Sequence, residues 1–196
     1  VLLLVLATYV VQMGLAAIGF ARVRNAPAPS PPASWPSVSV VVPARNEADE
    51  IEACLESLRA TDYPGDRLEI IVVDDFSTDG TADVLNGYRD CERVTVIHQE
   101  NQGAAAARNR AYAESSGELV KFFDGDDLLS PEFVERQVER LDGSKTHVAS
   151  AEWARFHDDP SEATFEPEPV WQDMGAVGWL VTAWEDGRPM MQPALW

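Results

Sequence analysis

Four runs of aliphatic and β-branched residues recur along the chain, and each predicts a β-strand. Nearly continuous apolar runs are typical of strands that are buried on both faces inside a parallel sheet. The four runs are "SVSVVV" (37–42), "LEIIVV" (68–73), "RVTVI" (93–97) and "ELVKFF" (118–123). A fifth run, "HVASAEW" (147–153), predicts a further strand.

Helical patterns separate these runs. Two amphipathic stripes have apolar residues three and four positions apart: Ile51, Cys54, Leu55 and Leu58 on one, and Phe133, Val134, Val138 and Leu141 on the other. Asn46 and Ser130 are the expected N-caps of these two helices. Two more helices are expected, one from near Asp79 or Thr81 and one over 104–116. Alternating strands and helices predict an α/β fold with a mostly parallel, Rossmann-like sheet flanked by helices.

The first 20 residues contain no charged side chain. At about 1.5 Å per residue, a helix of this length crosses a hydrocarbon core of roughly 30 Å, so we predict a transmembrane helix over 1–21. Arg22 and Arg24 follow at once, and the positive-inside rule places the rest of the chain in the cytoplasm, as a single-pass protein of the cell inner membrane. A buried core helix and a cleaved signal sequence are the alternatives.

Composition predicts how the remaining chain is organised. The proline-rich stretch 22–36 predicts an extended linker, and the length of 37–196 predicts one main domain. The last residues, "MMQPALW", stop within an apolar run. We therefore expect the domain to be incomplete at its C-terminus and the chain to be an N-terminal piece of a longer protein.

The chain is strongly acidic, with 33 Asp and Glu against 15 Lys and Arg and a formal net charge of -18. Such a surface repels phosphate backbones, which argues against a nucleic-acid partner. Cys54 and Cys91 make no disulfide framework and fit a reducing compartment.

Unusual polar segments follow the first four predicted strands. They are "PARNE", "DDFSTDG", "HQENQG" and "DGDD", in chain order. In parallel α/β sheets the carboxyl ends of the strands lie at one edge, where ligands bind. The sequence therefore predicts that these four loops form one site.

Carboxylates dominate this predicted site. Crowded carboxylates repel one another, and a divalent cation such as Mg²⁺ or Mn²⁺ relieves the repulsion through oxygen ligands. Asp124 and Asp126 lie two positions apart, so an extended backbone would point both the same way. The alternative for "DGDD" is a solvated turn at a helix N-terminus.

Two other features of the rim have a functional and a structural interpretation. In the functional interpretation, one of Asp74 and Asp75 accepts hydrogen bonds from a base or a ribose. In the structural interpretation, the "DDFSTDG" segment is a turn whose side chains cap the next helix. Arg45 and Arg108 are either surface arginines or the partners that a bound diphosphate needs.

Several common site motifs are absent from the sequence. There is no G-x-x-x-x-G-K-[ST] loop, no G-x-G-x-x-G and no G-x-S-x-G elbow. An EF-hand loop that began at Asp124 would place Leu128 at a ligand position. The cysteines and histidines show no zinc spacing.

Four segments resemble the successive motifs of family 2 glycosyltransferases with the GT-A fold. They are "VSVVVPARNEADEIEACLESL", "IIVVDDFSTDGT", "NQGAAAARNRA" and "GELVKFFDGDD", between about Ser37 and Leu141. The resemblance implies a nucleotide-sugar donor, most simply a UDP-sugar, a divalent metal, and inversion at the anomeric carbon. A glycan or a lipid-linked molecule is the implied acceptor.

The resemblance also implies roles for residues around the nucleotide. Pro43, Arg45 and Glu47 would line the base and ribose pocket, although many relatives have Tyr where Arg45 stands. Asp75 would contact the base, and Asp74 would support it.

Further implied roles concern the diphosphate. Arg108 would lie near the donor phosphates. Asp124 and Asp126 would form the D-x-D motif of metal ligands, with Asp126 the firmer ligand, and Asp124 would also contact the donor.

The general base of the family is usually an aspartate late in the domain. "MMQPALW" resembles the apolar strand that precedes it, so we expect the base beyond Trp196 and leave the catalytic residue unassigned. Asp186 lies ahead of that strand and is interpreted as a surface residue. Four tryptophans are open to two interpretations, as an acceptor cleft or as core: Trp153, Trp171, Trp179 and Trp184.

Two alternatives compete with the transferase. In a haloacid-dehalogenase-like phosphatase, Asp124 would be the nucleophile and Asp126 the acid/base. That motif belongs on a first strand and continues Gly-Thr, whereas here it follows the fourth strand and continues Asp127-Leu128. The other alternative is a catalytically incomplete, nucleotide-binding fragment.

Overall fold

The computed structural model describes residues 17–19, 34–157 and 159–185. Its strands are β1 Ala17–Gly19, β2 Val38–Ala44, β3 Leu68–Asp75, β4 Val94–Gln99, β5 Leu119–Phe122, β6 Leu128–Leu129 and β7 Ala154–Arg155. Its α-helices are α1 Ile51–Arg59, α2 Thr81–Asn86, α3 Ala104–Glu114, α4 Phe133–Leu141 and α5 Ala176–Glu185. Short 3₁₀ turns span Gly65–Arg67 and Pro160–Glu162.

The main sheet has the order β4-β3-β2-β5, and all of its pairings are parallel. This confirms the predicted α/β sheet with helices on its faces. Ala44 is paired with Asp74, and Asp74 with His98, so the carboxyl ends of β2, β3 and β4 are level. A second, small sheet has the order β6-β1-β7.

Alternate residues of the central strands are buried on opposite faces of the main sheet. Val40 and Val42 pack toward α1 and α4, whereas Val41 packs toward Ala107 and Ala111 of α3. All seven residues of β2 are buried, as the continuous apolar run predicted. Both predicted amphipathic stripes are buried as well.

Both predicted N-caps are wrong. Helix α1 begins at Ile51 and α4 at Phe133, with no side-chain cap at either start. Asn46 adopts a left-handed backbone with φ 57° and its side chain bonds to another loop instead. At Ser130 the backbone carbonyl, not the hydroxyl, accepts a hydrogen bond, from Phe133 N.

The predicted fifth strand differs from the structure. Residues 147–153 contribute no strand to the main sheet, and the nearby strand β7 pairs antiparallel with β1. Ala149 is buried and its carbonyl accepts a hydrogen bond from Gln137 Nε2, while Val148 is 45% exposed. Ala149 forms only an isolated β-bridge, and no strand extends over 147–153.

The predicted N-terminal helix coincides with the described residues only at Ala17–Gly19, which form a strand rather than a helix. The rest of the predicted span 1–21 lies outside the described residues, as does most of the predicted linker. None of the helices in the described part of the chain is both long enough and apolar enough to cross a bilayer.

The end of the predicted linker packs against the domain. Trp35 contacts Tyr63 edge-on, with 5.3 Å between ring centroids. Tyr63 donates a hydrogen bond to the carbonyl of Pro36. Trp35 and Pro36, at the end of the predicted linker, therefore contact the domain through Tyr63.

At the end of the main sheet opposite the predicted site, hydrogen bonds join β2, β3 and the segment that precedes β5. The carboxylate of Glu69 accepts hydrogen bonds from Ser39 Oγ and from Ser116 N, at 2.5 and 2.6 Å. Gly117 N donates to Ser39 Oγ at 2.7 Å. A Cβ at Gly117 would lie 2.5 Å from Ser39 Oγ and 2.6 Å from Ser39 N, so only glycine fits.

We predict that Gly117→Ala lowers the free energy of unfolding by about 1–3 kcal/mol, because the added methyl group overpacks against the backbone of β2. Urea unfolding followed by circular dichroism measures the change. The control is Gly175→Ala, since a Cβ there meets nothing within 4 Å. Equal stability of the two variants would contradict the close approach at Gly117.

Candidate active site

A cleft of about 240 Å³ opens at the carboxyl ends of the main-sheet strands. Its lining contains every residue predicted for the site except Asp74: Pro43, Arg45, Glu47, Asp75, Arg108, Asp124 and Asp126. Small residues complete the lining: Ala44, Ala104, Ala107 and Gly125. The cleft therefore brings three of the four predicted loops together with the start of helix α3, while the third loop, "HQENQG", contributes no lining residue.

The small lining residues were not predicted as part of the site. Ala104 and Ala107 lie in the first turn of α3. In the sequence these residues belong to the alanine run 104–107. High helix propensity alone explains such a run, so it did not indicate a binding site. Short side chains at this end of α3 leave space between the helix and β2.

Asp75 anchors the loop between β4 and α3. Its carboxylate accepts hydrogen bonds from Gln99 Nε2, Gln102 N and Gly103 N, at 2.7, 2.8 and 2.7 Å. Burial alone would raise the pKa of Asp75, but these hydrogen bonds outweigh it and hold the pKa below its ordinary value. Asp75 is therefore ionised, and it fixes one wall of the cleft.

Asp74 does not line the cleft but supports the loop after β3. Its side chain is buried and accepts hydrogen bonds from the backbone N–H and the hydroxyl of Ser77. Its other oxygen lies 2.9 Å from His98 Nδ1 on β4. Asp74 thus joins two neighbouring strand ends.

The loops that follow β2 and β3 are bonded to each other. Asn46 N donates to Ser77 Oγ at 3.0 Å, and Thr78 N donates to Asn46 Oδ1 at 2.8 Å. Asn46 and Phe76 both have left-handed backbones, with φ of 57° and 62°. Such a conformation is uncommon for a bulky residue like Phe76, and here the bonds between the loops hold it.

Glu47, the last residue of the "PARNE" loop, lies against Gly125 of the D-x-D turn. Its backbone N–H donates to Thr81 Oγ1 at 2.8 Å, and its carbonyl accepts from Ile51 N at 2.9 Å. Burial, and then the negative charge of Asp126, raise the pKa of Glu47 to about 7. A large fraction of Glu47 is therefore protonated at neutral pH.

Asp124 and Asp126 are presented by a tight turn rather than by an extended strand. Asp127 N donates to the Asp124 carbonyl at 3.2 Å and closes this turn. Gly125 lies against the neighbouring loop, because a Cβ there would be 3.4 Å from the Pro43 carbonyl. The extended geometry expected from the spacing is wrong, but both carboxylates still line the cleft.

Arg108 forms an ion pair with Asp124 through Nη2 and Oδ1. Its Nε is buried and has no hydrogen-bond partner within the described structure. A buried donor without a partner is costly, so Arg108 has hydrogen-bonding capacity left for a bound anion.

The charges of the cleft fit a bound cation. Four carboxylates line it, from Glu47, Asp75, Asp124 and Asp126, against two guanidinium groups. Burial and the neighbouring Asp124 raise the pKa of Asp126, while Arg108 acts in the opposite direction. No group of three or more metal-ligating side chains occurs among the described residues. Carboxylate oxygens are the ligands that a hard cation prefers, and a cation bound by two of them would keep open positions for a ligand's oxygens.

The tryptophans singled out in the sequence do not line this cleft where they are described. Trp153, Trp171 and Trp179 are half-buried, and the indole N–H groups of Trp153 and Trp171 are buried without a partner in the described structure. The side chain of Trp184, and Asp186, lie outside the described residues. An acceptor role for these tryptophans stays a prediction.

The fold and the cleft define a GT-A-like α/β domain with an acidic binding site at the carboxyl ends of its strands. The model of Glycosyl transferase family 2 matches residues 39–180, and the chain belongs to this family. This confirms the resemblance seen in the sequence. It gives no support to the phosphatase alternative.

Two curated relatives are named as putative glycosyltransferases. The chain is 38% identical over 125 residues to the putative glycosyltransferase EpsH of Bacillus subtilis (strain 168), covering 63% of this chain and 36% of the relative. It is 42% identical over 109 residues to TuaG of the same organism, a putative teichuronic acid biosynthesis glycosyltransferase, covering 54% of this chain and 42% of the relative.

Solved structures share the fold. The mannosyltransferase PcManGT from Pyrobaculum calidifontis, in complex with GDP-Man and Mn²⁺, matches with a TM-score of 0.57 and 33% identity over 63% of this chain and 38% of its own. TarS 1–349 from S. aureus in complex with UDP matches with a TM-score of 0.53 and 33% identity, covering 57% and 34%.

We predict that the stability of the metal-free chain falls as the pH rises from about 4.5 to 7. The folded state holds a proton on Glu47 in this window and the unfolded chain does not, so unfolding is favoured as the pH rises. Glu47→Gln should therefore stabilise the protein at about pH 8, on the order of 1–2 kcal/mol after solvent screening, and not at about pH 4. Urea unfolding of the parent chain and of Glu47→Gln, in chelator at both pH values, measures the free energies of unfolding. Equal stabilisation at the two pH values would contradict the prediction.

Proposed function

We propose that the chain forms the donor site of an inverting glycosyltransferase of the hexosyltransferase type. The enzyme takes a sugar from a nucleotide-diphosphate sugar, most simply a UDP-sugar, and transfers it to a glycan or a lipid-linked acceptor. The observation that supports this most is the cleft itself, in which predicted residues from three separate loops and from helix α3 meet.

At the nucleotide end, Pro43, Arg45 and Glu47 supply the wall for base and ribose. Asp75 already accepts three hydrogen bonds from the protein, and an ionised carboxylate accepts about four. One position therefore remains for a base N–H. The small Ala104 and Ala107 leave room for the nucleotide between β2 and α3.

At the diphosphate end, Asp124 and Asp126 would hold Mg²⁺ or Mn²⁺, and Asp126 is the firmer ligand because Asp124 is paired with Arg108. A divalent cation bound there neutralises charge on the leaving diphosphate. Arg108 lines the cleft, and its guanidinium group would donate to a phosphate oxygen. The likeness to a structure solved with GDP-Man and Mn²⁺ supports this assignment.

The proposal extends to the membrane. The uncharged residues ahead of strand β1, with Arg22 and Arg24 after it, support a membrane anchor that leaves the cleft on the cytoplasmic side of the cell inner membrane. An anchor of this kind would keep the donor site near a lipid-linked acceptor.

Nucleotide binding tests the proposed function. We expect the chain to bind UDP or GDP with Mg²⁺ or Mn²⁺ at least about tenfold more tightly than in chelator, because the cleft carries excess negative charge. Isothermal titration calorimetry measures the affinities, and UDP release from a panel of UDP-sugars measures donor turnover. Equal affinity with and without metal would refute the metal role.

Asp126→Asn is expected to lower metal-dependent UDP affinity by about tenfold or more. The melting temperature should stay unchanged or rise, because the substitution removes one charge from a repelling cluster. The matched control is Asp66→Asn, since Asp66 is 82% exposed in a turn and does not line the cleft. A large drop in melting temperature would mean that Asp126 is a structural residue.

Arg108→Gln should change two affinities in opposite directions. UDP binding weakens by about tenfold, since a charge-assisted hydrogen bond to phosphate is lost. Binding of Mn²⁺ alone strengthens, since Asp124 loses the guanidinium that competes with the metal. Arg110→Gln is the control, because Arg110 lies on the same helix but pairs with Glu114. Both affinities falling together would refute the competition for Asp124.

A further inference from the structure

His98 of strand β4 faces the carboxylate of Asp74, and neither side chain lines the cleft. The two residues are paired in register on neighbouring strands, and His98 Nδ1 lies 2.9 Å from Asp74 Oδ2. An ionised carboxylate only accepts hydrogen bonds, so the hydrogen of this bond lies on Nδ1. The function proposed above gives no role to this contact.

The contact compensates a buried charge. The side chain of Asp74 is 4% exposed, whereas that of His98 is 30% exposed. A buried carboxylate is costly unless hydrogen-bond donors surround it. Ser77 donates to Oδ1 through its backbone N–H and its hydroxyl, and His98 donates to Oδ2. Asp74 is thus held from two sides, by strand β4 and by the loop that follows β3.

The hydroxyl of Ser77 continues these contacts to the next loop. Its hydrogen is directed at Asp74, so its oxygen is left to accept, and it accepts from Asn46 N at 3.0 Å. Asn46 lies between Arg45 and Glu47, and both of these neighbours line the cleft. A chain of three hydrogen bonds therefore leads from β4, which does not line the cleft, to the "PARNE" loop, which does.

The loop at the end of this chain depends on bonds from outside. Asn46 has a left-handed backbone with φ 57°, a conformation that is uncommon for residues other than glycine and is held by its surroundings. A similar chain holds the next residue, because Glu47 N donates to Thr81 Oγ1 and that hydroxyl donates to Asp79. In both chains a carboxylate orients a hydroxyl, and the hydroxyl holds one backbone N–H of the loop. The repetition indicates that these polar residues serve the placement of the loop.

We propose that His98 is a positioning residue for nucleotide binding and acts through Asp74 and Ser77 on the "PARNE" loop. It thereby fixes the wall of the cleft that carries Arg45 and Glu47. The proposal rests on the proposed function, because the placement of this wall affects a donor only if the donor binds there. His98 lies outside the cleft lining and acts only through these contacts.

Two substitutions of His98 separate the hydrogen bond from the ring. His98→Phe keeps a ring of similar size without a donor, whereas His98→Asn keeps an N–H close to the position of Nδ1. We expect UDP affinity, with Mn²⁺ and in chelator alike, to fall about 3–30-fold in His98→Phe and to stay within about twofold in His98→Asn, as for residues that act on a site without touching its ligand. Isothermal titration calorimetry measures the affinities. His147→Phe is the control, because His147 is exposed and lies outside the cleft.

Nuclear magnetic resonance of the ligand-free chain tests the contacts themselves. Asn46 N donates to Ser77 Oγ, and Thr78 N donates to Asn46 Oδ1, so both amide resonances report on the loop. They should shift in His98→Phe and return toward the parent positions in His98→Asn. A merely structural His98 would lower the melting temperature in His98→Phe without moving these resonances or the UDP affinity measured well below it, and that result would overturn the proposal.

Ser77→Ala breaks the same chain at its middle and tests the proposal independently of how the His98 variants fold. It should weaken UDP binding, and adding His98→Phe should weaken it little further, because both substitutions act on one chain of contacts. Ser115→Ala is the matched control, since the Ser115 hydroxyl donates to the Tyr112 carbonyl at the end of α3, away from the cleft. Fully additive losses in the double variant would overturn the proposal.

The outcomes separate this proposal from the proposed function. If the parent chain binds UDP and both His98→Phe and Ser77→Ala bind it equally well, the positioning role is refuted while the proposed function stands. If the parent chain itself binds neither UDP nor GDP with any metal, the proposed function fails, and the role of His98 fails with it.

Discussion

Parallel pairing of β2 with both β3 and β5 is the constraint on which the rest of the structure depends. Parallel strands have their carboxyl ends on one side, so each loop that leaves a strand enters the same space. The level register of Ala44, Asp74 and His98 brings the loops close enough to bond to each other. Burial of the central strands on both faces holds that register, since a slip by one residue would exchange the two packed faces.

Electrostatics follow from that geometry. A chain of net charge -18 places four carboxyl groups around one cleft and balances them only in part, with the guanidinium groups of Arg45 and Arg108. Burial, and then the neighbouring negative charges, raise the pKa of Glu47 and of Asp126. Such a site is least stable when empty and gains most from a ligand that brings cations with it, which is consistent with a metal-bound diphosphate.

Much of the fold and of the site was predictable because the signals are local or periodic. The apolar runs marked the strands, the stripes of α1 and α4 marked their buried faces, and polar residues directly after the strands marked the cleft. The family match over 39–180 agrees with the motifs that were read from the residues. Wrong predictions concern local choices that distant partners decide: Asn46 bonds Thr78 instead of capping a helix, and Gln137 takes the carbonyl of Ala149 where a strand was expected.

The sequence by itself determined the strand order along the chain, the buried faces and the residue types at the strand ends, because hydrophobic periodicity and turn chemistry act over a few residues. Only the tertiary structure decided that Asp74 and Asp75 have different tasks, that Arg108 pairs with Asp124, and that Lys121 is buried. These are contacts between residues far apart in the chain, and their existence depends on which elements the sheet brings together.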